Sequence, residues 1–113
     1  MIKLLYTIGF VSLISAIETF GQGAIKYANT HKIPTVALLG TACYMMISYI
    51  LYRSFSFENM AIVNAWWNIV TSITITLSGI FLFGEQLKNT DLIGIVFIVL
   101  GAGFLSAKDL GLL

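Results

Sequence analysis

Apolar residues fall in four long stretches along the 113-residue chain, approximately 4–25, 33–52, 60–83 and 92–107. A helix needs about 20 apolar residues to cross ~30 Å of hydrocarbon, and each stretch approaches that length. The segments between them read "KYANTHK", "RSFSFEN" and "GEQLKNTD". They hold charges, turn formers and a helix-starting "NTD". Pro34, the only proline, stands at the beginning of the second stretch, where its missing N–H costs little. Loops this short make successive helices antiparallel neighbours and leave no room for an extramembrane domain. The pattern predicts an all-α integral membrane protein, a single domain over 1–113 with four transmembrane helices.

Composition agrees. The chain is 58% hydrophobic and 10% charged, against ~45–50% and ~25% for soluble proteins. Cys43 and His31 are each alone, so neither a disulfide nor a common transition-metal set is expected. A net charge of +1 without a basic cluster gives no reason to expect nucleic acid. No catalytic dyad, phosphate loop or cofactor motif points to an enzyme. Lys3 before an apolar run imitates a signal peptide, but the run is long and has no convincing cleavage site, so it reads as retained.

Charge also bears on orientation. Lys3, Arg53 and Lys108 fall on one side of the four-helix pattern, and Lys26, Lys32 and Lys88 on the other. A chain without positive-inside bias has no strong reason to choose one orientation. It can insert both ways, and oppositely inserted copies can pair. Alternatively the tie arose by chance, or orientation follows another signal.

Within this pattern Glu18 is the anomaly, since every other charge lies at or near the edge of an apolar run. An acid at mid-membrane costs ~2.5–3.5 kcal/mol on insertion scales and marks an ion or proton path by default. Helical spacing puts Ser15, Glu18, Gly21 and Gln22 on one face. No basic residue lies inside the four runs, so the carboxylate has no evident ionic partner. Desolvation penalises its charged form, so it can hold a proton and release it when a cation arrives. The alternative is a protonated glutamic acid that ties helices together.

The third run carries a polar stripe, Asn64, Asn68, Thr71, Thr74 and Ser78, with Trp67 beside it. Asn and Thr either line a cavity or bind helices to one another. Trp67 offers an indole face to organic cations, or belongs with Trp66 to an interfacial belt. Tyr44 supplies a hydroxyl that needs a partner in lipid, while Cys43 reads as packing and Arg53 and Glu58 as interfacial anchors. In the fourth run, Gly94 and Gly101 share a face, and Ala102–Ser106 and Gly103–Ala107 are small-xxx-small pairs. Such residues allow close helix contact, between subunits or within one.

"ETFGQGAIKY" resembles the first-helix motif of the small multidrug resistance family, four-helix transporters of the drug/metabolite superfamily, through Glu18, Gly21 and Lys26. Tyr44, Trp67 and the pair Gly94 and Gly101 match the family's residues in helices two, three and four, and "LFGEQL" looks like the end of helix three in the superfamily. The resemblance covers nearly the whole chain. It implies an antiparallel, dual-topology homodimer in which two Glu18 carboxylates share a site. Protons and a small organic cation, quaternary ammonium or guanidinium-like, compete for them and are exchanged across an inner (plasma) membrane. Ser15, Gln22, Tyr44, Asn64, Trp67 and Asn68 are the further candidates for contact with substrate or proton, and Gly94 and Gly101 for dimer contact. Asn64 stands where the family has a tyrosine, Asn59 where it has a proline, and Gln22 where it has a small hydroxyl residue, which favours a smaller or more polar substrate. Two alternatives stay open: a carrier of a neutral polar metabolite, and a non-transporting four-helix scaffold or subunit.

Overall fold

The computed structural model describes residues 2–105 and 107. Four helices follow in order: α1 (Ile2–His31), α2 (Pro34–Ser54), α3 (Met60–Phe83) and α4 (Asn89–Leu105). α3 has the expected ends, but α1 runs on past Ile25 to His31, through most of "KYANTHK", and α4 begins at Asn89 rather than Leu92. At about 1.5 Å per residue α1 is roughly 45 Å long, well beyond a ~30 Å hydrocarbon core. Its polar end marks where the chain leaves lipid, not where the helix stops.

What stops α1 is Pro34, which disfavours helical backbone before it and then opens α2. Lys32 and Ile33 are the whole connection. Lys32 adopts the left-handed region at φ 56°, and the Ile33 N–H reaches the Ala28 carbonyl at 2.9 Å. This is a Schellman closure with lysine where glycine is usual. α4 starts on Asp91, whose Oδ2 accepts the Lys88 N–H at 3.0 Å, half of a capping box.

α1, α2 and α3 are long and apolar enough to cross a bilayer, whereas α4 is a shorter apolar helix of 17 described residues. The four expected helices are all present, and among the described residues three are long enough to span and the fourth is shorter. α4 was expected to reach 107, yet Ala107 lies in a turn, its N–H returning to the Phe104 carbonyl at 3.2 Å. Ser106 and Lys108, and with them the Ala102–Ser106 pair and one cation of the charge tie, lie outside the described residues.

Gly21 and Gly40 let α1 and α2 touch closely. A Cβ on Gly21 would lie 2.9 Å from that of Cys43, and one on Gly40 would strike Ile25. Gly21 facing Cys43 while Ile25 faces Gly40 makes these helices antiparallel. Ser15 meets Thr71 and Thr19 meets Thr74, so α1 and α3 run parallel. α1 packs on α2 and on α3, and α4 packs on α3. The order across the molecule is thus α2, α1, α3, α4. The dimensions, 49 × 35 × 16 Å, fit four helices standing abreast at 8–10 Å spacing better than a two-by-two bundle. Val11, Ile14, Ile47 and Val63 form the buried seam, while Val96, Phe97, Leu100 and Phe104 of α4 stay exposed, as lipid-facing side chains do.

Candidate functional site

Glu18 lies a little past the middle of α1, about 24 Å along the axis from Ile2 at 1.5 Å per residue. It is on the buried face of α1 with Val11, Ile14 and Ser15, and only 8% of it is exposed. Because α1 stands between α2 and α3, side chains from both neighbours reach its carboxylate.

Four donors meet it. Trp67 of α3 donates its indole N–H to Oε2 at 2.6 Å, and the Thr71 hydroxyl, one turn on, donates to the same oxygen at 3.1 Å. Tyr44 of α2 donates its hydroxyl to Oε1 at 3.2 Å, and Gln22 donates from Nε2 at 3.4 Å. A second layer holds these donors. Gln22 Nε2 also donates to the Tyr44 hydroxyl at 3.1 Å, and Ser15 and Thr71 share a hydrogen bond of 2.9 Å. Thr71 has one hydroxyl proton and gives it to Glu18, so Ser15 is the donor in that pair. Next along the seam, Thr19 donates to Thr74 at 2.9 Å and Thr74 to the Thr71 carbonyl at 3.3 Å.

All four donors are neutral, and among the described residues no lysine or arginine pairs with Glu18. Hydrogen bonds to a charged group contribute roughly 1.5–3 kcal/mol each. Together they offset an insertion cost of about 2.5–3.5 kcal/mol. None of them brings a positive charge to the carboxylate.

The structure brings Ser15, Gln22, Tyr44 and Trp67 to Glu18, and it leaves two expected residues away. Asn64 donates its amide to the Met60 carbonyl of its own helix at 2.9 Å. Asn68 is exposed on α3, about 100° round the helix from Trp67. Thr71, expected only as part of a polar stripe, is a direct neighbour of the carboxylate. Its position four residues after Trp67, on the same helix face, was the available signal. Gly94 and Gly101 lie on the exposed surface of α4, and a Cβ at either would meet nothing within 4 Å. Neither is required for packing within the described chain. Gly94 also borders a groove of about 610 Å³ between α3 and α4, which reaches Gln22 and Thr71. That volume is in the ~300–1,000 Å³ range of small-molecule sites.

The remaining charges are placed outside this cluster. Arg53 donates to the Tyr49 hydroxyl at 3.2 Å on an exposed surface. Glu58, expected at the interface, is buried and pairs with Lys3 at 3.1 Å. Lys26, two turns after Glu18, pairs with Glu85 at 3.4 Å.

The three apolar spans agree with one comparison. The sequence profile of the Small Multidrug Resistance protein family matches residues 6–98. No curated protein and no solved structure matches the chain. The matched segment includes Glu18 and every donor to it, and the chain belongs to the Small Multidrug Resistance protein family.

Proposed function

We propose that this integral membrane protein is a proton-coupled antiporter that exports small organic cations from the cell across the inner membrane. Glu18 binds protons and substrate in competition. The observation that carries this reading is the buried carboxylate held by four neutral donors and by no cation. A protonated Glu18 is uncharged and an ionised one is already hydrogen-bonded, so either form is tolerated in low dielectric. The groove between α3 and α4 supplies room for a quaternary ammonium or guanidinium-like ion beside Gln22 and Thr71. Trp67 and Tyr44 bring aromatic rings to the carboxylate itself, and aromatic faces favour cations.

Two copies acting as an antiparallel dual-topology homodimer complete this picture. A single row of helices leaves α4 largely exposed, and the open space over Gly94 and Gly101 accepts a second helix. Family membership supports a transporter over a scaffold. A carrier of neutral metabolites would draw on the Asn64–Asn68 stripe, and those two side chains do not converge on Glu18.

The test is proton release from detergent-solubilised protein when guanidinium or tetraalkylammonium ions are added, with Glu18→Gln alongside. Release by the wild type and none by the mutant is expected. Release that persists in Glu18→Gln removes Glu18 from the mechanism. Binding without release favours the neutral-metabolite carrier.

A further inference from the structure

Towards the α3–α4 connection, α1 and α3 line a partly open cavity of about 140 Å³. Thr19, Gln22, Lys26, Ser78 and Glu85 are its polar wall. At ~30 Å³ per molecule it has space for several waters, and its polar side chains supply partners to hold them. Gln22 joins this cavity to the site, since the same side chain that forms its wall donates to Glu18 Oε1. Water there is one amide away from the buried carboxylate.

At the outer end lies the Lys26–Glu85 pair, with both side chains about half exposed, at 48% and 52%. The chain goes to some length to put it there. α3 ends at Gly84 in the left-handed region, φ 67°, and the Glu85 N–H returns to the Gly79 carbonyl at 3.0 Å. This lays Glu85 back over α3, and Gly79 leaves it room: a Cβ on Gly79 would sit 2.5 Å from Glu85 Oε1. Glu85 is thereby aimed at α1 and at Lys26. A half-exposed pair contributes little to stability, about 0–1 kcal/mol. Its place in the cavity wall is the better account of it.

We infer that this cavity is a hydrated proton path between Glu18 and the α3–α4 loop side, and that the charge of Lys26, held by Glu85, restrains proton entry to it. The inference rests on Glu18 being the proton carrier proposed above. An open path would let protons reach Glu18 without passing through the substrate groove, and the gradient would dissipate without export. The Lys26 ammonium in the cavity wall repels hydronium, as fixed cations do in pores that exclude protons. Lys26 and Glu85 are the only charged groups among its lining residues.

The experiment measures substrate-free proton entry into proteoliposomes under an imposed pH gradient, read by an internal dye. Lys26→Gln removes the ammonium and leaves the Glu85 carboxylate in the cavity wall. A leak about tenfold above wild type is expected, the factor that ~1.4 kcal/mol of lost barrier gives. The leak should vanish in Lys26→Gln/Glu18→Gln and in Lys26→Gln/Ser78→Leu, which fills the cavity. Exchanging the charges, Lys26→Glu with Glu85→Lys, should restore much of the barrier. If Lys26→Gln does not fold, Glu85→Gln serves in its place, with a smaller leak because Lys26 keeps its charge. A leak equal to wild type in every folded single variant overturns the inference. So does a leak that survives loss of Glu18, because the path then bypasses it. Failure of the antiport reading would show elsewhere, as cation-driven proton release that persists in Glu18→Gln.

Discussion

Two carboxylates are buried among the described residues, and they are held in opposite ways. Glu58 lies between α2 and α3, its side chain wholly covered, with one oxygen on the Lys3 ammonium and the Asn59 N–H. Its other oxygen has no hydrogen-bond partner among the described residues. Glu18 has both oxygens occupied, but every donor to it is neutral. At Glu58 a fixed cation has already consumed the charge, and what remains is a clasp between the first turn of α1 and the α2–α3 connection. At Glu18 the charge is supported and unspent. Burial alone does not distinguish the two acids; the kind of partner does.

The contrast can be broken most severely from the Lys3 side. Lys3→Met leaves the buried Glu58 carboxylate without its cation, and removing one partner of a buried pair costs ~3–5 kcal/mol. Because Lys3 is half exposed, a loss near the lower end, about 3 kcal/mol, is expected in thermal or denaturant unfolding. Cation binding by the folded fraction should be unchanged. If that affinity fell as far as stability, the two acids would not be independent.

Thr71→Val should show the converse. It deletes one charge-assisted donor and strands the Ser15 hydroxyl, at about 1.5–3 kcal/mol. Cation affinity in a fluorescence titration should change by about tenfold or more, with a smaller change in unfolding. The smallest effect belongs to Asn68→Ala, whose side chain is exposed and outside the Glu18 cluster. Affinity and stability should both stay within about 0.5 kcal/mol, as at other surface positions. A large loss there would move the substrate-binding surface to a face of α3 away from Glu18.

Much of the fold was legible because hydrocarbon imposes its own length on a helix. α3 shows this best, since its ends coincide with its apolar run. α1 was misjudged because "KYANTHK" is polar yet contains no proline or glycine to end a helix; Pro34 sets the stop from beyond it. Glu18, with Ser15 and Gln22 on its own face, followed from spacing within one helix. Partners on other helices depend on how α3 is rotated and slid against α1, and local spacing does not determine that. Thus Trp67 and Thr71 turn to the carboxylate while Asn64 and Asn68, equally polar neighbours, do not. The Lys3–Glu58 clasp was hidden for the same reason, being a contact between residues more than fifty positions apart.

The row of helices has a mechanical consequence. Every donor to Glu18 comes from α1, α2 or α3, whereas α4 forms one side of the groove leading to it. Swinging α4 about its contact with α3 would widen or narrow that groove while leaving the carboxylate's hydrogen bonds in place. The door and the lock are carried on different helices.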